Sequence, residues 1–403
     1  MWYSQISARK TWLGVLICAL ALPTQADLPA AQVNLSAANT DFAFDLFGQL
    51  ALEQPDTNVF ISPFSVSTVL QMIENGAAGT TKAEMKHVLH TDGLPTNGLN
   101  AACLSLNQSL NSQTNVILEL ANAIWYQQGI PLRPGFISVN KEFFQAELGA
   151  VDFGSPQSAQ TINDWANKST HGKIQQVVQW PFPPATRVVL ANAIYFKGKW
   201  ETPFDKQDTK PHTFHLAGGG EKQVPTMRRH GRFAYQQGDD FQAVQLPYAG
   251  GRLRMDVFLP DVNSTVARLL ARFSSASGRN QMLTHFLERE GTLALPRFKL
   301  EYSVKLNDSL QALGMKRAFH DADFSAMSRE PLELSEVKQK SYIVVNEEGT
   351  EAAAVTVGMM RATAILRPLK PFEMIVDRPF FFVIEDSQTQ SILFMGTVYE
   401  PKD

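Results

Sequence analysis

Two long, nearly uninterrupted apolar stretches constrain the fold of this chain more than any other feature. They are Val116–Tyr126 (VILELANAIWY) and Val188–Lys197 (VVLANAIYFK), and both are rich in aliphatic and aromatic residues. Strands that are apolar on both faces belong to a sheet that other elements cover on both sides. Helical and strand patterns alternate along the rest of the chain, so the sequence predicts an α+β fold around a large sheet.

Local signals predict several of the other elements. Apolar residues at helical spacing indicate a first helix around 42–50, and Ser62 is placed to cap a second helix. Thr81 and Glu84 have the spacing of a capping box, and the run Gly218–Gly220 predicts a hairpin loop. Strands are expected within 243–258, 293–302, 341–346 and 372–398, and helical stretches within 159–171, 264–289 and 304–313.

Length alone, at 403 residues, would suggest two or more domains. No repeat of fixed period and no low-complexity linker divides the sequence, so we expect one domain over 27–403. The 36 basic and 39 acidic residues give a formal net charge of −3. That balance offers no electrostatic reason to expect nucleic acid or an anionic membrane as a partner.

Residues 1–26 have the pattern of a secretory signal peptide. Arg9 and Lys10 precede an apolar stretch at 11–22, and small residues stand shortly before Asp27. The apolar stretch is shorter than the roughly 20 residues that a membrane-spanning helix requires, which disfavours the alternative of an uncleaved anchor. We therefore expect a secreted protein, extracellular or periplasmic, that has no membrane contact after the signal is removed.

The motifs of common enzyme classes are absent from the sequence. It contains no G-x-S-x-G elbow, no H-E-x-x-H motif, no phosphate-binding loop and no G-x-G-x-x-G after a strand. The H-x-x-H pairs at 87–90 and 212–215 lack further ligands at metal spacing, so no metal site is expected. Cys103 stands in an apolar helical context, where we interpret it as a buried hydrophobic residue instead of a nucleophile.

The segment between 346 and 368 departs from the usual rules for loops. It is long and lies between two strand regions, yet it is rich in Ala, Val and Thr. Every second residue from Thr350 to Ala362 is uncharged and most are small, whereas Glu351 and Arg361 fall in the interleaved set. That alternation is typical of a strand with one buried face. By itself the pattern also fits an ordinary strand of the sheet.

Seven sequence blocks between about residue 35 and 401 carry the most specific signal in the chain. They are NVFISPFSVSTVLQMIENGAAGTTKAEM (58–85), ANAIWYQQGIPLRPGF (121–136), INDWANKSTHGKI (162–174), NAIYFKGKWETPF (192–204), LPRFKLEYSVKLNDSLQALGM (295–315), VNEEGTEAAAVT (345–356) and DRPFFFVIEDSQTQSILFMGTVYEP (377–401). In this order the blocks resemble the serpins, a family of serine protease inhibitors. The resemblance implies a serpin fold with three β-sheets, eight or nine helices and an exposed reactive-centre loop at about 347–370.

The resemblance implies a secreted protease inhibitor and not an enzyme. A serine endopeptidase, or as a second class a cysteine endopeptidase, cleaves the loop of a serpin and forms an acyl-enzyme. The loop then inserts into the central sheet as an added strand and traps the protease, so the inhibitor is a suicide substrate. The alternative is a non-inhibitory serpin that acts as a carrier or chaperone, which the small hinge residues disfavour. A monomer without cofactors is expected.

The family's functional positions carry over to this chain residue by residue. Arg297 and Glu347 are expected to form an ion pair at the base of the loop. Gln339 replaces a histidine that is frequent in the family, so no pH-sensitive group is expected at that position. The hinge comprises Glu347, Gly349, Thr350, Glu351, Ala352, Ala353 and Ala354, and the sheet-opening region comprises Ser62, Ser65, Asn192, Trp200, Arg297 and Gln339.

Family spacing from Glu347 selects Thr363–Ala364 as the reactive bond. The small residues around this bond favour elastase-like or subtilisin-like serine proteases as targets. The alternative bond is Arg361–Ala362, which a trypsin-like protease would choose, and Met360–Arg361 is a third choice for a chymotrypsin-like enzyme. Residues 91–120 contain no Lys or Arg, which argues against activation by heparin in this region.

Overall fold

The computed structural model describes residues 30–111, 116–350 and 370–402. The predicted signal peptide, 1–26, lies outside these ranges. The helices are α1 Ala30–Glu53, α2 Pro63–Glu74, α3 Gly79–Val88, α4 Thr96–Asn111, α5 Pro134–Phe144, α6 Pro156–Ser169, α7 Val266–Ala271, α8 Ala276–Thr284 and α9 Asn307–Ala312. The strands are β1 Val59–Ile61, β2 Val116–Gln127, β3 Glu147–Val151, β4 Val188–Lys199, β5 Lys210–His215, β6 Glu221–Gln237, β7 Phe241–Pro247, β8 Leu253–Pro260, β9 Leu287–Pro296, β10 Phe298–Lys305, β11 Glu336–Val345, β12 Gly349–Thr350, β13 Phe372–Ile375, β14 Phe380–Asp386 and β15 Ser391–Val398.

The described strands form two hydrogen-bonded networks. The first, which we call the central sheet, has the order β10-β11-β4-β2-β3, with β12 paired to β4. The second has the order β1-β15-β14-β8-β7-β6-β9-β13, with β5 paired to β6. The three sheets implied by the resemblance appear as two networks because β6 is 17 residues long. It pairs with β5 and β9 over most of its length and with β7 at its end.

The two apolar stretches are neighbouring strands at the middle of the central sheet. They are β2 and β4, which pair antiparallel, and β4 also pairs parallel with β11. The side chains of β4 alternate between two cores. Leu190, Ile194 and Phe196 belong to the large core shared with the second network, whereas Ala191 and Ala193 belong to a smaller core under α6. The predicted sheet covered on both faces is thus confirmed.

Two helix caps were predicted from the sequence, and the structure confirms one of them and contradicts the other. Ser62 caps α2 as predicted, because its hydroxyl accepts a hydrogen bond from a backbone N–H in the first turn. Thr81 and Glu84 do not form the predicted capping box, since α3 begins after Ala78, which makes no side-chain cap. The Thr81 hydroxyl instead accepts from the backbone N–H of Asp323, and the Glu84 carboxylate accepts from the backbone at 316–317. Both side chains therefore serve a neighbouring loop.

The stretch 264–289 is helical in two short pieces only. Ser275 accepts a hydrogen bond from the backbone N–H of Gly278 and starts α8 separately from α7. The end of the stretch is β9, which begins at Leu287 and pairs with β6. The predicted hairpin at Gly218–Gly220 is confirmed, because it joins β5 to β6.

A buried carboxyl pair lies between β8 and β14. Asp256 is fully buried, and its Oδ2 accepts a hydrogen bond of 3.2 Å from the Gln245 amide. Arg254 forms an ion pair with Glu385 at 2.5 Å and lies 3.7 Å from Asp256. Burial, and then the neighbouring charge of Glu385, raises the pKa of Asp256 well above its usual range, and Arg254 offsets this only in part.

Asp256→Asn is expected to make the protein less sensitive to alkaline pH. A carboxyl whose pKa is raised by folding contributes stability below its unfolded pKa, and that stability is lost as pH rises through the folded pKa. The unfolding temperature of the wild type should therefore fall relative to the variant as pH rises above the unfolded carboxyl pKa of about 4. The exposed Asp239→Asn serves as the control and should follow the wild type; a parallel decline in all three proteins would contradict the assignment.

Candidate functional site

The strands β4 and β11 are paired along only part of their length. Their parallel pairing runs from Glu336 opposite Val189 to Tyr342 opposite Tyr195, and we call this stretch the seam. Beyond Tyr342 the two strands no longer pair. The chain turns after β11 and returns as β12, which pairs antiparallel with β4 beyond the seam. A second short strand therefore already occupies the space where β4 and β11 diverge.

Gly349 makes this turn possible. Its φ of +137° is one that residues with a side chain rarely adopt, and Asn346 forms a β-bridge with it across the turn. An added Cβ would also lie 2.2 Å from the carbonyl oxygen of Gly198 on β4. Both the backbone conformation and the close approach of two backbones therefore require glycine at this position.

Thr350 is the last described residue before 370, and it is fully buried. Its hydroxyl forms a hydrogen bond of 3.1 Å with the hydroxyl of Tyr248, the residue that follows β7. The Tyr248 ring stacks on Trp200, with ring centroids 4.6 Å apart. Burial raises the pKa of Tyr248, so the hydroxyl stays neutral and available for this bond.

Trp200 contacts the turn through its own backbone and through its own side chain. The indole Nε1–H donates to the carbonyl oxygen of Asn346 at 3.0 Å, and the backbone N–H donates to the carbonyl of Glu348 at 2.9 Å. The backbone N–H of Phe204 donates to the carbonyl of Glu347 at 2.9 Å. These three bonds tie the turn to the segment that follows β4.

The structure brings Arg297 and Glu347 into contact. The guanidinium approaches Glu347 Oε1 at 2.6 Å and 2.8 Å, and the Thr209 hydroxyl donates to the same oxygen. Burial raises the pKa of Glu347, but the hydrogen bonds from Arg297 and Thr209 outweigh burial, so the pKa lies below its usual range. Glu347 therefore remains ionised. Thr209 was not predicted, because no local pattern links it to a residue so distant in sequence.

A buried polar cluster lies under the seam and joins α2 to three strands. The Gln339 amide accepts from the backbone N–H of Ser62 at 2.9 Å and donates to Asn192 Oδ1 at 2.6 Å. Asn192 in turn donates to the hydroxyl of Ser65 and to Asn122 Oδ1. The predicted sheet-opening residues of this region thus form one hydrogen-bonded network across β4 and β11.

Asn122 is a member of the cluster that the sequence analysis missed. It lies directly opposite Asn192 in the β2–β4 pairing. The available signal was the sequence ANAI, which occurs at 121–124 and again at 191–194. Because the two copies pair about their asparagines, each strand contributes the same amide to the cluster.

Lys173 spans the end of the seam on the opposite face of the sheet. Its ammonium lies 5.8 Å from the ring centroid of Tyr195 and 6.0 Å from that of Tyr342. These two tyrosines are the last paired residues of the seam. His171, in the same linker, contacts the Tyr195 ring and lies 3.1 Å from a carboxylate oxygen of Glu119 on β2. One linker therefore contacts three strands of the central sheet.

The remaining predicted site residues lie outside the described part of the chain. These are Glu351, Ala352, Ala353 and Ala354 of the hinge, and the reactive-bond residues Arg361, Ala362, Thr363 and Ala364. The predicted loop at about 347–370 is described as far as Thr350 and again from Lys370.

Other candidate chemistry is weak within the described ranges. No group of three or more His, Cys, Asp or Glu residues there could hold a metal ion. His87 and His90 face different carboxylates and share no ligand. Burial raises the pKa of Cys103 to about 12, so its thiol is unreactive. Among the described helices, none has the length and apolar character needed to cross a membrane.

The sequence matches a family model described as Serpin (serine protease inhibitor) over residues 37–401. The chain is a serpin. The predicted family and the α+β serpin fold are both confirmed. Members of this family include protease inhibitors, which act on proteases as inhibitors and not as enzymes.

Similar proteins span nearly the whole serpin domain. An uncharacterized serpin-like protein of Thermococcus kodakarensis is 41% identical over 372 residues, covering 91% of this chain and 85% of the relative. The leukocyte elastase inhibitor of Bos taurus is 38% identical over 387 residues, covering 91% of this chain and 100% of the relative. The solved structure of human thyroxine-binding globulin has a TM-score of 0.84 and 27% identity, covering 93% of this chain and 100% of that chain.

Lys173→Gln is expected to loosen the end of the seam in this serpin. A cation over an aromatic ring contributes about 1 kcal/mol, so backbone amides of β11 should exchange with solvent roughly fivefold faster. Hydrogen exchange followed by mass spectrometry on peptides from β4 and β11 measures this. Lys168→Gln, an exposed lysine at the end of α6, is the control.

Two substitutions of Tyr342 separate the ring contact from simple packing. Tyr342→Phe keeps an aromatic face and should exchange like the wild type, whereas Tyr342→Leu should resemble Lys173→Gln. Unchanged exchange in both Lys173→Gln and Tyr342→Leu would show that these contacts do not stabilise the seam.

Proposed function

We propose that this serpin is a secreted, single-use inhibitor of serine endopeptidases, with cysteine endopeptidases as a second target class. The observation that carries the proposal is the pairing of Gly349 and Thr350 with β4 beyond the seam. The loop has thus begun as a strand in the space where β4 and β11 diverge. Cleavage of the loop would free the rest of the segment to continue that strand.

The existing register supports insertion of the alternating segment. Gly349 lies opposite Lys199 and Thr350 opposite Gly198. Continued in the same antiparallel register, Ala352, Ala354 and Thr356 would lie opposite Phe196, Ile194 and Asn192. These positions share the buried face with Thr350, because side chains of paired residues point to the same side of a sheet. Small uncharged residues are the ones that this face can accept.

Insertion would replace one strand pairing by two. The seam would open, and the inserted strand would pair with β4 on one side and with β11 on the other. We expect a net gain on the order of ten backbone hydrogen bonds at about 1 kcal/mol each. The hydrogen bond between Gln339 and Asn192 would be broken. The hydroxyl of Thr356 would come between these two amides and could replace the lost bond.

The chemical step belongs to the protease. Its nucleophilic hydroxyl attacks the carbonyl carbon of Thr363, the bond to the nitrogen of Ala364 breaks, and the amine leaves with a proton from the protease's general acid. An ester then joins the protease to Thr363. Insertion of the loop before water reaches this ester would leave the protease trapped.

We further infer that elastase-like or subtilisin-like proteases are the main targets and that Thr363–Ala364 is the bond they cleave. The name of the bovine relative, leukocyte elastase inhibitor, is consistent with this preference. Trypsin-like cleavage at Arg361–Ala362 would shorten the inserting strand by two residues and favour turnover. The pattern of residues 1–26 supports secretion. Heparin is not expected as an activator.

A non-inhibitory carrier is the alternative, and the structural similarity to thyroxine-binding globulin keeps it relevant. An inhibitor forms a complex with the protease that survives denaturation in SDS, because the two chains share an ester bond. A carrier does not. Purified protein should therefore be incubated with an elastase, a subtilisin and a trypsin, and complexes should be sought by gel electrophoresis. Cleavage without any stable complex would contradict the proposal.

Thr350→Arg is expected to convert the inhibitor into a substrate. The residue is buried against Tyr248, and an unpaired guanidinium at this site would have to be desolvated at a cost of several kcal/mol. Slow insertion would allow deacylation, so the covalent complex should fall by at least about tenfold while cleavage continues. Glu351→Arg is the matched control and should keep most complex formation, because the next residue along an inserted strand is expected to face the opposite side of the sheet.

The reactive bond is expected to be Thr363–Ala364. Mass spectrometry of the peptide released from a stable elastase complex should find a fragment that starts at Ala364 and ends at Asp403. A fragment that starts at Ala362 would assign the bond to Arg361–Ala362 instead. Thr363→Arg should redirect inhibition towards trypsin, because a guanidinium fills the acidic primary pocket of that protease.

A further inference from the structure

A polar cavity of about 370 Å³ lies beside Trp200. It opens between the segment after β4 and the strands β6 to β8. Three arginines line it: Arg229, Arg232 and Arg254. Two carboxylates, Glu201 and Glu288, also line it, and both side chains belong to exposed residues.

Arg229 has an environment that is unusual for a charged group. Its guanidinium lies 4.5 Å from the ring centroid of Phe233 and 5.0 Å from that of Phe204. One of its five N–H groups donates to the carbonyl oxygen of Thr202. Within the described ranges, no carboxylate oxygen lies within ion-pair distance of this guanidinium. Burial lowers its pKa to about 10, which reflects a positive charge without a compensating partner.

The other two arginines differ in how their charges are compensated. Arg254 is paired with Glu385, so it adds little net charge to the cavity. Arg232 is exposed and forms no ion pair with any described residue. Its neighbour across the sheet, Glu290, lies within 3.4 Å of His230. Two guanidinium groups that form no ion pair with a described carboxylate therefore line one cavity.

A guanidinium that is partly withdrawn from water is normally paired with an anion. The carboxylates of Glu201 and Glu288 do not supply the missing partner, since they lie beyond ion-pair distance and water screens charges on exposed side chains. An anion small enough to enter the cavity would supply it. Guanidinium groups bind phosphate and carboxylate with two parallel hydrogen bonds, which matches the free N–H groups of Arg229.

We propose that this cavity binds a small multivalent oxyanion, a phosphate or dicarboxylate group, through Arg229 and Arg232. The site is independent of protease inhibition and of the reactive bond. The wall of the cavity includes Trp200, whose indole also contacts the loop turn. The proposed anion site and the proposed site of loop insertion therefore share this side chain.

Titration calorimetry with inorganic phosphate at constant ionic strength tests the site. The wild type should bind phosphate saturably in the millimolar range or tighter. Arg229→Gln should weaken binding by at least about tenfold, because it removes the half-buried partner of the anion. A parallel titration with malonate distinguishes the two ligand classes, since the tighter of the two identifies the favoured oxyanion.

Arg228→Gln is the matched control. Arg228 precedes Arg229 on β6, is not among the residues that line the cavity and pairs with Glu373 at 3.1 Å. Its replacement removes the same charge and should change phosphate affinity by less than about twofold. Should Arg229→Gln fail to fold, Arg232→Gln at the exposed mouth decides the question, with an expected weakening of about threefold. Absence of saturable binding, or equal weakening by Arg228→Gln and by the cavity variants, would overturn the proposal.

Discussion

The structure depends on the incomplete pairing between β4 and β11. The central strands of a sheet this size would be expected to pair with their neighbours along their whole length. A backbone N–H or C=O group that is left unpaired inside a covered sheet lacks a hydrogen bond, which costs free energy. Here the pairing ends at Tyr195 and Tyr342, and the chain returns to pair Gly349 and Thr350 with β4 further along. The fold therefore contains a defined space, and the alternating segment that follows Thr350 is its proposed occupant.

The interactions around this space can be broken and replaced by similar interactions with an inserted strand. Under the seam, the contacts are amide and hydroxyl hydrogen bonds from Gln339, Asn192 and Asn122, which a further hydroxyl can replace. Above it, Lys173 contacts two aromatic rings that an inserted strand would separate by a further strand spacing of about 4.8 Å. Neither kind of contact prevents opening outright, and both add to its cost. This combination is consistent with the proposal that the sheet stays closed until the loop is cut.

Trp200 connects the separate features at this end of the molecule. It stacks on the tyrosine that binds Thr350, it donates to the carbonyl of Asn346, and it lines the cavity that contains Arg229. The Trp200 side chain therefore contacts both the loop turn and the cavity, so a structural change at either of these places acts on the same side chain. The proposed anion site and the proposed insertion site are distinct in chemistry but share this residue.

The sequence by itself determined the features that depend on local order. The apolar strands β2 and β4 and the cap at Ser62 were predictable, because periodicity and capping act between residues a few positions apart. The alternation after Thr350 is also a local pattern, and the strand that it predicts stays a prediction. The family blocks added the pairing of Arg297 with Glu347. Only the tertiary structure decided that Thr81 and Glu84 serve a loop instead of a helix, that Tyr248 meets Thr350, and that no carboxylate of the described residues pairs with Arg229. These contacts join residues far apart in the chain, and side-chain partners at that distance are chosen by how the sheets pack, which no local pattern records.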